Sequence, residues 1–137
     1  MRIEYPAKIL LAWKEALSGN KEIREWLINN DYPELGLFEF ALRNHQESRD
    51  WLIDNKHPHL MALINGAEGN PNAVLWLRKH NLDVFEKMAE AADNDDHALG
   101  WLVHNVDKTF VDIALLMRRI KNEIERDNND PHKISLN

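Results

Sequence analysis

The chain has 137 residues, with 17 Lys and Arg against 23 Asp and Glu, no Cys and five Trp. That length predicts one domain, and the lack of cysteine excludes disulfide frameworks, thiolate zinc sites, iron–sulfur clusters and thiol nucleophiles together. The net charge of −6 runs against general binding to nucleic acids or anionic membranes, and only five Gly and five Pro point to helices.

In chain order, Tyr5-Pro6 opens a helix expected over 7–18, followed by helices near 21–29, 33–43, 46–54, 58–67, 71–79, 83–93, 96–104 and 108–126. Asn20, Asn70 before Pro71, and Asp95 are good N-caps for the shorter helices, whereas His45 in the same column is expected to cap poorly. Asn30, Asn55, His80 and Asn105 stand where those helices end, and Asn tolerates the left-handed geometry that closes a helix. Pro33 and Pro58 suit a first turn by their fixed φ, and Asp107 serves as N-cap of the last helix. The segment Ile9–Trp13 lies between Lys8 and Lys14 and lacks a cleavage-site pattern, and no stretch approaches the roughly 20 apolar residues of a membrane span. A cytoplasmic protein is expected.

These elements recur at a period of 25 residues. Trp26, Trp51, Trp76 and Trp101 are each followed by Leu. The same period links Leu10, Leu35, Leu60, Phe85 and Phe110, then Trp13, Phe38, Leu63, Met88 and Ile113, then Leu17, Leu42, Ala67, Ala92 and Met117. The last three columns fall at i, i+3 and i+7, one stripe of a helix. Helices of about ten residues are marginal alone, but stacked pairs bury a continuous core. The expected fold is therefore all-α: an α-solenoid, right-handed by analogy with known solenoids, of about four and a half two-helix units. It should span residues 1–126, followed by a polar tail over 127–137. The Trp column is expected to be core, so Trp51→Ala or Trp76→Ala should cost about 3–5 kcal/mol. The last helix should close one end of the array, leaving the N-terminal end open.

The unit is shorter than tetratricopeptide, ankyrin, HEAT or armadillo repeats. In length, and in residues such as Leu27, Pro33 and Leu35, it loosely resembles bacterial leucine-rich-repeat variants, but the Trp column lies outside that pattern and no family is recognised.

Chemistry-bearing patterns are sparse. His97 and His104 are seven apart, too far for two ligands of one ion, and no His-Glu-x-x-His occurs. The run Asp93-Asn-Asp-Asp96 lacks the glycine and terminal glutamate of a calcium loop. Ser18, Ser48, Ser135 and Thr109 stand in no nucleophile context, and no glycine-rich phosphate loop occurs. The basic residues Arg118, Arg119, Lys121 and Arg126, and the pair Arg78-Lys79, have acidic neighbours and suit helix C-termini. No catalytic residue, metal or cofactor is expected.

One helix face does not repeat in character. There Phe40, Met61 and Ile64 are expected to form an apolar centre rimmed by Glu39, Arg43 and Glu68, the plan of a protein interface. The expected function is a non-enzymatic protein-binding module, one version being neutralisation of a basic protein partner. The alternative is a structural or self-assembling protein using its open N-terminal end, with a metal-dependent enzyme a distant third. The partner is an unidentified protein, not nucleic acid or membrane, and the chain is expected to be a monomer or weak homodimer.

Overall fold

A computed structural model describes residues 2–129, and all regular structure among them is helical. In order the helices are α1 (Ala7–Leu17), α2 (Lys21–Asn29), α3 (Pro33–Gly36), α4 (Phe38–Leu42), α5 (Gln46–Asp54), α6 (Pro58–Ala67), α7 (Pro71–Lys79), α8 (Asp83–Ala92), α9 (Asp96–Asn105) and α10 (Lys108–Asn128). Among the described residues no helix is long and apolar enough to cross a membrane. Of the expected tail, residues 127 and 128 continue α10, residue 129 caps it, and 130–137 lie outside the described residues.

The helix expected over 33–43 is kinked at Leu37 into α3 and α4. Its ladder still crosses the kink, because Leu37 N–H donates to Pro33 O at 2.9 Å and Ala41 N–H to Leu37 O at 3.1 Å. Gly36 sits at the kink for a packing reason: a Cβ there would stand 2.6 Å from Ile28 Cγ1 and 2.9 Å from Arg24 O, so only glycine lets α3 approach the α2 backbone this closely.

The turns also follow the 25-residue spacing. Gly19, Asn44, Gly69 and Asn94 have positive φ, as do Asp31, Lys56 and Asn81. The left-handed residue after α2, α5 and α7 is thus one position later than expected, and α9 ends without one, on the extended Val106. Asn30, Asn55, His80 and Asn105 instead turn their side chains back onto the carbonyls of Trp26, Trp51, Trp76 and Trp101, at 2.8, 2.9, 2.8 and 2.8 Å, and at Trp51 and Trp76 this is a second bond beside the backbone N–H of the same residue. His45 also departs from expectation: its Nδ1 accepts from Ser48 N–H at 3.3 Å, so it does cap α5.

Two layers result. The inner helices α1, α3–α4, α6, α8 and α10 touch in succession, and α10 also touches α1. The column Trp13, Phe38, Leu63, Met88 and Ile113 is fully buried at their centre. Lys14 on α1 pairs with Asp112 on α10 at 3.2 Å. The first and last inner helices therefore meet, where an open stack would hold them apart. The second half of α10 lies across the ends of its neighbours, with Lys121 Nζ donating to Asp93 at 3.0 Å and Asn122 paired with Asn94.

The outer helices α2, α5, α7 and α9 insert Leu27, Leu52, Leu77 and Leu102, all fully buried. The tryptophans do not follow them, which corrects the core reading of that column: Trp26 is 47% exposed, and Trp51, Trp76 and Trp101 are half-buried. Adjacent helical residues point about 100° apart, so one of the pair takes the inward position and the other lies on the flank. There Trp51 stacks on His57 with ring centroids 5.7 Å apart, and Trp76 on His80 at 3.8 Å. Leu77→Ala should accordingly cost about 3–4 kcal/mol and Trp76→Ala only about 1–2 kcal/mol, an order that urea unfolding of the two variants would check.

Candidate functional site

The six residues expected to form an interface do not come together as one surface patch. Met61 and Ile64 are 7% and 0% exposed: α6 is packed between α4 and α8 and also touches α5, α7 and α10, so both side chains seal neighbouring helices instead of facing outward. Glu39 is buried as well, accepting from Arg24 and, at 3.2 Å, from Arg43. Phe40 is 36% exposed, with the Arg24 guanidinium 4.6 Å from its ring centroid. Arg43 is exposed, and Glu68 is paired with Arg49 at 3.1 Å. An apolar centre with a charged rim is thus absent at this place.

Two concave surfaces stand out instead. The first is a groove of about 440 Å³ over α8, between α7 and the start of α9. Its apolar lining comes from Pro71, Val74 and Leu75, and Glu90, Asp93 and Asp95 supply carboxylates. Burial pushes the Glu90 carboxyl above its usual range, with Lys87 3.5 Å away pulling the other way. Arg78 at the margin is already engaged by Glu86, its Nε and Nη2 donating to Oε2 at 3.1 and 2.8 Å. Burial is the largest single influence on Glu86 and raises it, but the bonds from Arg78, a bond with Glu90 and the charges of Arg78 and Lys87 together hold that carboxyl below the ordinary value.

The second is the seam between α1 and α10. Elsewhere a short helix touches both members of an adjacent inner pair: α2 on α1 and α3, α5 on α4 and α6, α7 on α6 and α8, α9 on α8 and α10. No described helix covers the α10–α1 seam in that way. A hollow of about 470 Å³ remains there, lined by Lys14, Lys108, Asp112, Leu115, Leu116 and Arg119. Leu11, on the same stripe of α1 as Lys14 and Ser18, and Leu115 are 49% and 39% exposed.

A third cluster is buried, which corrects the expectation that His57 and His59, flanking Pro58 at a helix start, cap a helix or face solvent. Glu34 and His59 are both fully buried, and His57 Nε2 lies 3.8 Å from Glu34 Oε2. Neither Glu34 oxygen nor either His59 nitrogen makes a geometrically sound hydrogen bond among the described residues. The His59 ring stacks on Phe85 at 5.8 Å. Burial lowers His59 to about 4, lowers His57 and raises Glu34, with Arg2 pulling Glu34 back down. Tyr5, half-buried beside them, is raised by the same cause. A signal was available: 25-residue spacing aligns Glu34 and His59 with Ile9 and Val84, next to the core column of Leu10. Among the described residues no three His, Cys, Asp or Glu side chains are placed to hold a metal ion.

No known family matches the chain, and neither a curated protein nor a solved structure matches it.

Proposed function

We propose that this chain is a non-enzymatic protein-binding module, a short cytoplasmic helical-repeat array of solenoid type whose ends have met, and that it receives a positively charged segment of another protein. The observation behind this reading is the groove over α8, where Glu90, Asp93 and Asp95 stand beside an apolar lining on a chain of net charge −6. Apolar contact holds such a segment, while opposite charge speeds encounter and selects the partner. The 25-residue spacing of buried leucines, caps and left-handed turns supports the repeat-array part of the reading.

Fluorescence polarisation with two labelled dodecapeptides, one with four lysines and one with four glutamates on the same Gly-Ser-Leu background, tests it. The cationic peptide should bind saturably, at least tenfold tighter than the anionic one, and weaken as salt is raised. Equal binding of the two, or none, would overturn the proposal.

A second reading, self-assembly, draws on the seam, where exposed Leu11 and Leu115 stand beside Lys14 and Lys108, which share Asp112, and Arg119. This moves the expected contact from the N-terminal end of an open stack to the flank of α1. Light scattering across a hundredfold concentration range separates the readings: a dimer dispersed by Leu115→Glu favours assembly, and a monomer throughout disfavours it.

A further inference from the structure

We infer that the groove over α8 is a receptor for a single arginine side chain of the basic segment, held between the Gly66 carbonyl and the Asp93 carboxylate. The inference rests on the basic-partner reading and narrows it to one chemical group.

The argument comes from positions 25 residues apart. On α5, Arg49 crosses to the end of the inner helix before it, where Nε donates to Ala41 O at 2.8 Å and Nη2 to Glu68 Oε1 at 3.1 Å. One guanidinium so joins a helix-terminal carbonyl to a carboxylate from the following unit. The position before it, Arg24, also carries a guanidinium, which reaches Glu39 and lies over Phe40. Farther along, Arg118 from α10 serves the third such carbonyl: Nε donates to Ala91 O at 2.8 Å, and Nη2 stands 3.0 Å from Asp96.

Between these two lies Gly66, and 25-residue register places Asp93 where Glu68 stands for Arg49. The carbonyl and the carboxylate are both present, but the position equivalent to Arg49 is Val74, which is too short and too apolar to join them. Gly66, Asp93 and Val74 all line the groove. Helix-terminal carbonyls carry partial negative charge, which favours a cation there.

Three further features suit a guanidinium. Asp93 is bonded through Oδ1 to Lys121 at 3.0 Å, and its Oδ2 faces Gly69, where a Cβ would lie 3.6 Å away. Glycine at 69 thus leaves the approach to Asp93 unshielded. Asp95, while capping α9, adds negative charge beside it, and Arg78 in the lining is turned to Glu86. A guanidinium is planar with donors on separate nitrogens, so it can bond a carbonyl and a carboxylate at once while its face rests on apolar groups; an ammonium is a point charge on a flexible stem.

The test uses the full chain, the four-lysine peptide and its four-arginine counterpart, read by fluorescence polarisation. The arginine peptide should bind about tenfold tighter than the lysine peptide. Val74→Arg should fill the groove from within, as Arg49 does in its own unit, and abolish that tenfold preference. Val74→Leu, which keeps the lining apolar, should leave it intact. If both peptides bind wild type equally, or if V74R folds and still prefers the arginine peptide, the arginine site is overturned while the basic-partner reading stands. If neither peptide binds, both fail together. Should V74R not fold, the arginine-to-lysine ratio on wild type and on V74L decides.

Discussion

Trp13→Ala should destabilise the chain by about 4–5 kcal/mol, a loss that brings it to the edge of unfolding if its total stability lies at the lower end of the usual range of about 5–15 kcal/mol. Trp13 is fully buried at the centre of the inner ring. Its indole meets Phe38 edge-on at 5.1 Å and Phe85 at 6.5 Å, so a single side chain touches two other helices of that layer. Truncation would open a cavity that five mutually braced helices cannot collapse to fill. Trp13→Phe should cost far less, about 1–2 kcal/mol, because the indole N–H has no acceptor and its removal recovers part of the lost contact. Trp26→Ala, at a side chain 47% exposed, should stay within about 1 kcal/mol. Urea unfolding followed by far-ultraviolet circular dichroism gives all three values. Equal losses for Trp13→Ala and Trp26→Ala would refute the assignment of Trp13 as the central contact.

Acid should loosen the fold well above the pH at which surface carboxylates titrate. His59 is held near 4 when folded, by burial, against an ordinary value of 6.5. Between those limits the unfolded chain binds a proton that the folded chain refuses, so stability falls as pH drops from about 7 to 4. The full shift corresponds to a loss on the order of 3 kcal/mol, and His57, lowered by the same cause, adds with the same sign. Glu34 opposes both. Its carboxyl is raised by burial, so the folded state holds a proton above the usual carboxylate range and acid relieves its penalty. His59→Leu should therefore flatten the stability profile between pH 7 and 4, and Glu34→Gln should steepen it. A wild-type profile that is flat in this window, or unchanged by His59→Leu, would sink the account of the buried cluster.

The helices and the buried leucines were legible because they depend on local chemistry. Pro33, Pro58 and Pro71, the caps Asn20, Asn70, Asp95 and Asp107, and apolar residues at i, i+3 and i+7 place each helix within a residue or two. The tryptophans misled because a recurring residue records a recurring position without saying how deep it lies. Leu27 and Trp26 repeat equally well, and only the packing of α2 onto α1 and α3 decides which turns inward. The same gap undid the expected interface. Met61 and Ile64 lie on α6, which α4, α5, α7, α8 and α10 all touch, and the contacts that α10 makes back to α1, α4 and α6 leave no periodic trace in the sequence. The groove over α8 was legible in principle, as a valine in a column that reads Arg24, Arg49, Val74 and Leu99, yet that break gains meaning only once Arg49 is seen reaching Ala41 and Glu68.

Amide chemical-shift mapping during titration with the four-arginine peptide tests the binding account most directly, since it reports place as well as affinity. Saturable shifts confined to residues 66–78 and 90–95 are predicted. Shifts centred on the α1–α10 seam, at residues 11–18 and 108–119, or no saturable shifts at all, would contradict it.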